Sequence, residues 1–159
     1  MNAQARLKPA ECDVTVTRVF DAPRELVFRT WIEPEHLMRW WGPRGFTNPV
    51  CELDARVGGA IFVRMHGPDG RVILMTGTFR EIVTPERLVL SAVAADGDGH
   101  PLFEGLVTAT FEDQGGKTRL TVREQAVAIV PAAAAILAGM ENSWTESLKR
   151  LASVMPPTT

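Results

Sequence analysis

Few side chains in this sequence could carry chemistry, and none has the spacing of a metal site. His36, His66 and His100 stand apart, outside any HExxH pattern. Asp96 and Asp98 resemble part of a calcium loop, but such a loop needs a downstream glutamate that is missing here. The run of alternating Asp and Gly is more typical of a hairpin turn. We therefore expect neither a metal nor a cofactor.

Paired groups for catalysis are also not recognisable. Cys12 and Cys51 are isolated and indicate free thiols, and the sequence has no tyrosine that could serve as an acid. A charged group in an apolar pocket is costly unless it is paired, so one that faces inward would meet a polar group of a ligand. No catalytic residue is predicted. Six polar residues could face inward: Arg64, His66, Glu104, Arg123, Glu124 and Asn142.

Aromatic and thioether side chains are better candidates for a site. Trp31, Trp40 and Trp41 either form an aromatic mouth for a ligand or pin two helices to a sheet. Methionine side chains can adapt to ligands of different shape, although they also fill irregular cores without any ligand. Both interpretations depend on the elements that position these residues.

The first elements are a strand and two short helices. Residues 13–20 alternate with β-branched side chains, which predicts a strand. Pro23 lies in the first turn of a helix that continues to Trp31, and Pro34 opens a second helix that stops at Gly42.

In the residues that follow, apolar and polar side chains alternate with a period of two, and turn dipeptides interrupt them at regular intervals. This pattern predicts six strands. Connections this short cannot hold a crossover helix, so the strands must form an antiparallel meander. The predicted strands cover residues 47–54, 60–66, 71–83, 87–93, 103–112 and 117–125.

The last element is predicted as one helix of up to 24 residues between Pro131 and Pro156. Its apolar stripe must cover the face of the sheet. The fold class is therefore α+β: a curved seven-stranded antiparallel sheet wrapped around a long C-terminal helix, with two short helices between the first and second strands.

A twisted sheet and a straight helix leave space between them, and Gly77 should leave a notch there. The sequence thus predicts an apolar pocket between sheet and helix. The residues expected to bind a ligand in it are Trp31, Trp40, Trp41, Ile61, Val63, Met65, Ile73, Met75, Gly77, Phe79, Met140, Trp144 and Leu148.

A family resemblance lies in an ordered set of segments: 19–28 (VFDAPRELVF), Trp31, 34–37 (PEHL), 39–43 (RWWGP), 58–59 (GG), 67–70 (GPDG), 77–82 (GTFREI), 85–88 (PERL) and 139–148 (GMENSWTESL). With these segments the sequence resembles bacterial proteins related to the activator of the ninety-kilodalton heat-shock chaperone ATPase, in the START-like (SRPBCC) superfamily. The resemblance extends from about residue 13 to 155 and implies a helix-grip fold around an apolar pocket.

Length and charge limit the function classes. The 159 residues suit one domain, which we place at residues 13–155, after a flexible arm at residues 1–12 and before a tail at residues 156–159. The net charge of −2 is spread without blocks, so we expect no nucleic-acid partner, and no apolar run predicts a membrane span. A cytoplasmic location is expected.

We expect a module that binds a small hydrophobic molecule without catalysing a reaction, as a monomer or homodimer. Two alternatives remain open because superfamily members differ in activity. One is a protein-interaction module that activates a chaperone ATPase. The other is an enzyme similar to the polyketide aromatase/cyclases.

Overall fold

The computed structural model describes residues 8–155, and its largest element is a sheet of seven antiparallel strands. The strand order is β1-β7-β6-β5-β4-β3-β2, so six strands form a meander and the first strand pairs with the last. This topology confirms the predicted fold class. The strands are β1 (Glu11–Phe20), β2 (Thr47–Leu53), β3 (Ala60–His66), β4 (Val72–Val83), β5 (Arg87–Asp96), β6 (Pro101–Gln114) and β7 (Lys117–Ala128).

The edge strand β1 begins at Glu11, earlier than the predicted start at Asp13. The reason is pairing, because Glu11 faces Val127 on a β7 that also extends beyond its predicted end. Residues 1–7 of the predicted arm and the predicted tail at 156–159 lie outside the described residues.

The hairpin between β5 and β6 is tight, and both strands extend further into it than predicted. Asp96 closes the turn, because one carboxylate oxygen accepts the backbone N–H groups of Asp98 at 2.9 Å and His100 at 3.0 Å. The aspartates therefore act in a turn, as the hairpin interpretation predicted.

Two short helices, α1 (Arg24–Ile32) and α2 (Pro34–Leu37), follow β1 as predicted, but α2 ends at Leu37, earlier than the predicted stop at Gly42, and the chain continues in turns. They pack through aromatic side chains: the ring of Phe28 lies 5.2 Å from that of Phe111 on β6. The Trp40 indole, just beyond α2, donates a hydrogen bond to the carbonyl of Thr30 at 3.0 Å. The two helices are thus fastened to each other and to the sheet.

The C-terminal helical segment is interrupted, and the prediction of one unbroken helix is wrong at Gly139. A 3₁₀ turn (Pro131–Ala133) leads into α3 (Ala134–Ala138), and α4 (Met140–Ser153) follows the break. The Gly139 N–H is shared between the carbonyls of Ala135 and Ile136, at 3.3 and 3.2 Å. Glycine has a low helix propensity, which favours the break at this point.

Small residues cross the inner face of the sheet in one row. Strand pairing places Gly77 opposite Ala92, Ala92 opposite Gly105, and Gly105 opposite Ala126. The backbones approach closely at Gly77, where a β-carbon would lie 2.1 Å from the Ser91 carbonyl oxygen. Only glycine fits there, and the row leaves little bulk on the inner face.

Gly77→Ala should destabilise the protein by about 2 kcal/mol, because the new methyl group meets backbone that cannot move away without distorting β5. Urea unfolding would measure the free energy of unfolding. Thr76→Ala, at the exposed neighbouring position, should cost less than about 1 kcal/mol. Equal stability of the two variants would contradict the close approach at Gly77.

Candidate functional site

A cavity of about 330 Å³ lies between the inner face of the sheet and the C-terminal helices. Its floor includes Ala92 and Gly105 from the small-residue row, and its other side includes Met140 and Trp144 from α4. The void exists because neither Ala92 nor Gly105 carries a side chain long enough to reach the helix. The exposed residue Arg71 also lines it, so the cavity extends to the surface.

Six of the residues predicted to bind a ligand line this cavity. They come from the segment after α2, from β3 and β4, and from α4, which places them on opposite sides of the same space. They are Trp41, Met65, Ile73, Met75, Met140 and Trp144, and each is less than 9% exposed.

The other seven predicted residues lie elsewhere. Gly77 borders a groove on the outer face of the sheet, because its missing side chain admits the neighbouring strand and leaves no notch on the inner face. The remaining six are buried in the core: Trp31, Trp40, Ile61, Val63, Phe79 and Leu148.

Trp31 supports the cavity wall from behind. Its ring stacks on Trp144 with centroids 5.8 Å apart and planes inclined by 8°, and it meets Trp41 edge-on at 6.0 Å. The rings of Trp41 and Trp144 also contact each other edge-on, with their centroids 5.4 Å apart. Such pairs add to the energy of burial and hold the rings in fixed orientations. The two indoles that border the cavity are therefore immobilised by a third in the core.

Arg150 on α4 fixes the segment that follows α2. Its Nη1 donates to the carbonyls of Trp41, Gly42 and Pro43 at 3.2, 2.9 and 3.1 Å, and its Nη2 to that of Arg39 at 3.2 Å. Burial lowers the pKa of this guanidinium, but arginine remains protonated at physiological pH. One side chain thus satisfies four carbonyls beside the cavity.

Asn48 holds the same segment from the sheet. Its Nδ2 donates to the carbonyls of Met38 at 3.0 Å and Trp41 at 2.9 Å. With Arg150 on the helix side, the backbone of Trp41 is held from two directions. The cavity wall is therefore pre-formed.

Glu124 is the buried carboxyl of the cavity. It lines the void, is 7% exposed, and accepts the indole N–H of Trp144 on Oε1 at 2.7 Å. Burial raises the pKa of the carboxyl above its usual range, and the hydrogen bond from Trp144 opposes that rise in part. The ionised form is therefore less favourable here than it is for an exposed carboxyl, unless a further donor solvates it.

The sequence matches the family described as Activator of Hsp90 ATPase homolog 1-like protein (AHSA1) over residues 21–156. The chain belongs to this family.

Solved structures of similar proteins share the fold. A crystal structure from Chromobacterium violaceum is 28% identical, covers 91% of this chain and 97% of its own, and superposes with a TM-score of 0.72. A solution structure from Arthrobacter aurescens is 27% identical, with coverage of 90% and 85% and a TM-score of 0.76. The AHSA1 protein from Silicibacter pomeroyi is 24% identical, with coverage of 89% and 96% and a TM-score of 0.73, a likeness of fold alone. No curated protein matches the chain.

Several lining residues of this AHSA1 chain were not among the predicted ligand-binding residues, notably Phe46, Leu90, Phe103, Val107 and Glu124. Glu124 was one of six polar residues that could face inward, and alternation along β7 is the signal that could have distinguished it from the other five. Leu120, Val122 and Ala126 share its parity and are buried with it. A carboxyl on the apolar side of a strand is the anomaly to look for.

Other polar candidates of the sequence lie outside the cavity lining. Arg123 forms a bidentate contact with Asp13, at 2.9 and 2.7 Å, on the exposed side of β7. Arg64 donates to the ring of His66 at 3.0 Å. Asn142 is exposed, and so is Glu104.

Two surface groups in the described residues bring potential metal ligands together: Glu33, Glu35 and His36, and Asp96, Asp98 and His100. Neither group borders the cavity. The thiols are not activated, because burial raises the pKa of Cys12 and raises that of Cys51 to about 11. In residues 8–155, no helix is both long and apolar enough to cross a bilayer.

Arg150→Met should lower the free energy of unfolding by about 2 kcal/mol, because the apolar replacement leaves loop carbonyls partly buried and unbonded. Urea unfolding would measure the loss. Lys149→Met, at the exposed neighbouring position, is the control and should change stability by less than about 0.5 kcal/mol. Equal losses of stability in the two variants would show that the hydrogen bonds from Arg150 contribute nothing to the free energy of unfolding.

Glu124→Gln should stabilise the protein increasingly as pH rises. A carboxyl whose pKa is higher folded than unfolded stabilises the fold when protonated, and that contribution is lost as pH rises from about 4.3 through the folded pKa. Glutamine keeps an acceptor for Trp144 and does not titrate. Thermal unfolding between mildly acidic and mildly alkaline pH would compare the variants. Glu104→Gln, at an exposed position, should not reproduce the gain; a constant difference for Glu124→Gln would contradict this account.

Proposed function

We propose that this protein binds a small, largely apolar molecule in the cavity between the sheet and α4. The observation that carries the proposal is the void itself, about 330 Å³ enclosed by two tryptophans and three methionines among other apolar side chains. Protein interiors are otherwise close-packed, and each void costs stability. A guest that fills this one would recover contacts that the empty protein lacks.

The walls support binding because they are already in place. Trp41 and Trp144 are fixed by Trp31, and the backbone of Trp41 is tied to Arg150 and Asn48. Less conformational entropy is then lost when a ligand arrives. Burial of apolar ligand surface contributes about 25 cal/mol per Å², and a pre-formed pocket loses less of this contribution to the ordering of its own side chains.

Size and side-chain type indicate the class of ligand. The volume lies at the lower end of about 300–1,000 Å³ for small-molecule pockets, which favours compounds of one or two rings. Met65, Met75 and Met140 can adapt their rotamers to guests of different shape. We therefore infer that the cavity selects ligands by their size and apolar character more than by one exact shape.

The two alternative functions have narrower support. Activation of a chaperone ATPase is favoured by the family's description alone. An aromatase/cyclase-like reaction would need paired polar groups in the cavity, whereas Glu124 bonds to an indole and Arg71 lies 3.4 Å from Asp69. Ligand binding is the function that the geometry supports best. The cytoplasmic location and the monomer or homodimer state stay predictions. Light scattering would determine the oligomeric state.

Naphthalene should bind the protein and raise its melting temperature with concentration, and Ala92→Leu should weaken that binding by about tenfold or more, because the larger side chain fills the cavity. Isothermal titration calorimetry would give the affinities. Ala95→Leu makes the same change on the opposite face of β5 and should leave binding unchanged. The proposal is overturned if naphthalene produces neither heat nor a thermal shift.

A further inference from the structure

One oxygen of the buried Glu124 carboxyl borders the cavity beside a glycine. Oε1 accepts the Trp144 indole, while Oε2 lies over Gly105, where a β-carbon would come within 2.7 Å of it. Both Glu124 and Gly105 line the cavity. Glycine at this position therefore makes room for Oε2, at a place where both residues border the cavity.

Oε2 is also left without a hydrogen-bond partner among the described residues. Trp144 is the one side chain that bonds Glu124 among residues 8–155. Arg71, which lines the same cavity, is paired with Asp69, and Arg123, next to Glu124 in the chain, is paired with Asp13 on the exposed side of β7. A carboxylate offers about four acceptor sites, and a buried one that uses so few is unfavourable. A ligand that donates a hydrogen bond would relieve that cost.

We propose that the cavity selects apolar molecules that carry a hydroxyl group, which donates its hydrogen bond to Glu124 Oε2. The apolar body of the ligand then lies against Trp41, Trp144 and the methionines. This inference rests on the proposed function, and it adds the polar group by which ligands are distinguished. Because Trp144 fixes Oε1, the position of the hydroxyl is defined relative to the ring that the ligand contacts.

A hydroxyl fits better than the other polar groups that an apolar molecule could bring. An ether or ketone oxygen would place a lone pair against the carboxylate. An ammonium group would lose its full hydration on entering, a cost that a single ion pair in a low-dielectric site often does not recover. A hydroxyl gives up much less hydration and can donate.

Replacing Glu124 by glutamine should change which ligand is preferred. Only the oxygen of the amide can accept the Trp144 N–H, so the amide nitrogen must face Gly105, where it donates. The site would then favour a ligand that accepts a hydrogen bond. A residue with a purely structural role would not change the preference in this way.

The test uses four probes of similar size: naphthalene, 2-naphthol, 2-methoxynaphthalene and 2-naphthylmethylamine. Isothermal titration calorimetry at neutral pH would compare the wild type with Glu124→Gln and with Glu104→Gln. The latter removes an exposed carboxylate from the outer face of β6 and is the matched control. Circular dichroism would verify that each variant is folded.

We expect the wild type and Glu104→Gln to bind 2-naphthol about tenfold or more tightly than 2-methoxynaphthalene, as for a hydrogen bond to a buried charged group. Glu124→Gln should lose this preference and gain affinity for 2-methoxynaphthalene. Equal binding of naphthalene, 2-naphthol and 2-methoxynaphthalene by the wild type would overturn the inference and leave the proposed function standing. Tighter binding of 2-naphthylmethylamine than of 2-naphthol would also overturn it. If no probe binds, the proposed function fails and the inference with it.

Discussion

The structure depends on one constraint, the shortage of side-chain bulk along a single row of the sheet. Gly77, Ala92, Gly105 and Ala126 lie side by side on four neighbouring strands. At Gly77 this shortage lets two backbones approach, and further along the row it keeps the sheet surface out of reach of α4. The close approach of β4 and β5 and the void beneath the helix therefore have a common origin, because a side chain of ordinary size in this row would prevent the one or fill the other.

Arg150 is half-buried and Glu124 is buried, and the two charged groups have opposite surroundings. Arg150 directs its guanidinium to four carbonyls, so its charge is solvated by the protein and serves to hold a loop. Glu124 has one indole donor and an apolar environment, so its charge is poorly solvated. A charge that protein carbonyls solvate can serve structure alone, whereas a poorly solvated carboxyl beside a cavity is a candidate for a functional site. By this contrast, Arg150 belongs to the scaffold of the site, whereas Glu124 belongs to the surface that a ligand would contact.

Much of the fold could be predicted from local signals, and much of the cavity could not. Turn dipeptides and alternation located all seven strands, and Pro34 marked the second helix, because these features act within a few residues. Gly139 was missed as a break, since an isolated glycine is compatible with a helical pattern. Alternation also predicted that Met65 and Met75 face inward. It could not tell which inward residues border a void, because that depends on which residues pair across strands, as Ala92 and Gly105 do.

The clustering of the tryptophans has an optical consequence. The sequence contains four tryptophans and no tyrosine, and all four indoles belong to one contact network. Ultraviolet emission from the folded chain therefore originates almost wholly in one cluster, and two of its indoles, Trp41 and Trp144, line the cavity. A molecule that lies against Trp41 or Trp144 would alter that signal directly. The protein thus carries its own fluorescent reporter of occupancy, and no dye or label has to be attached.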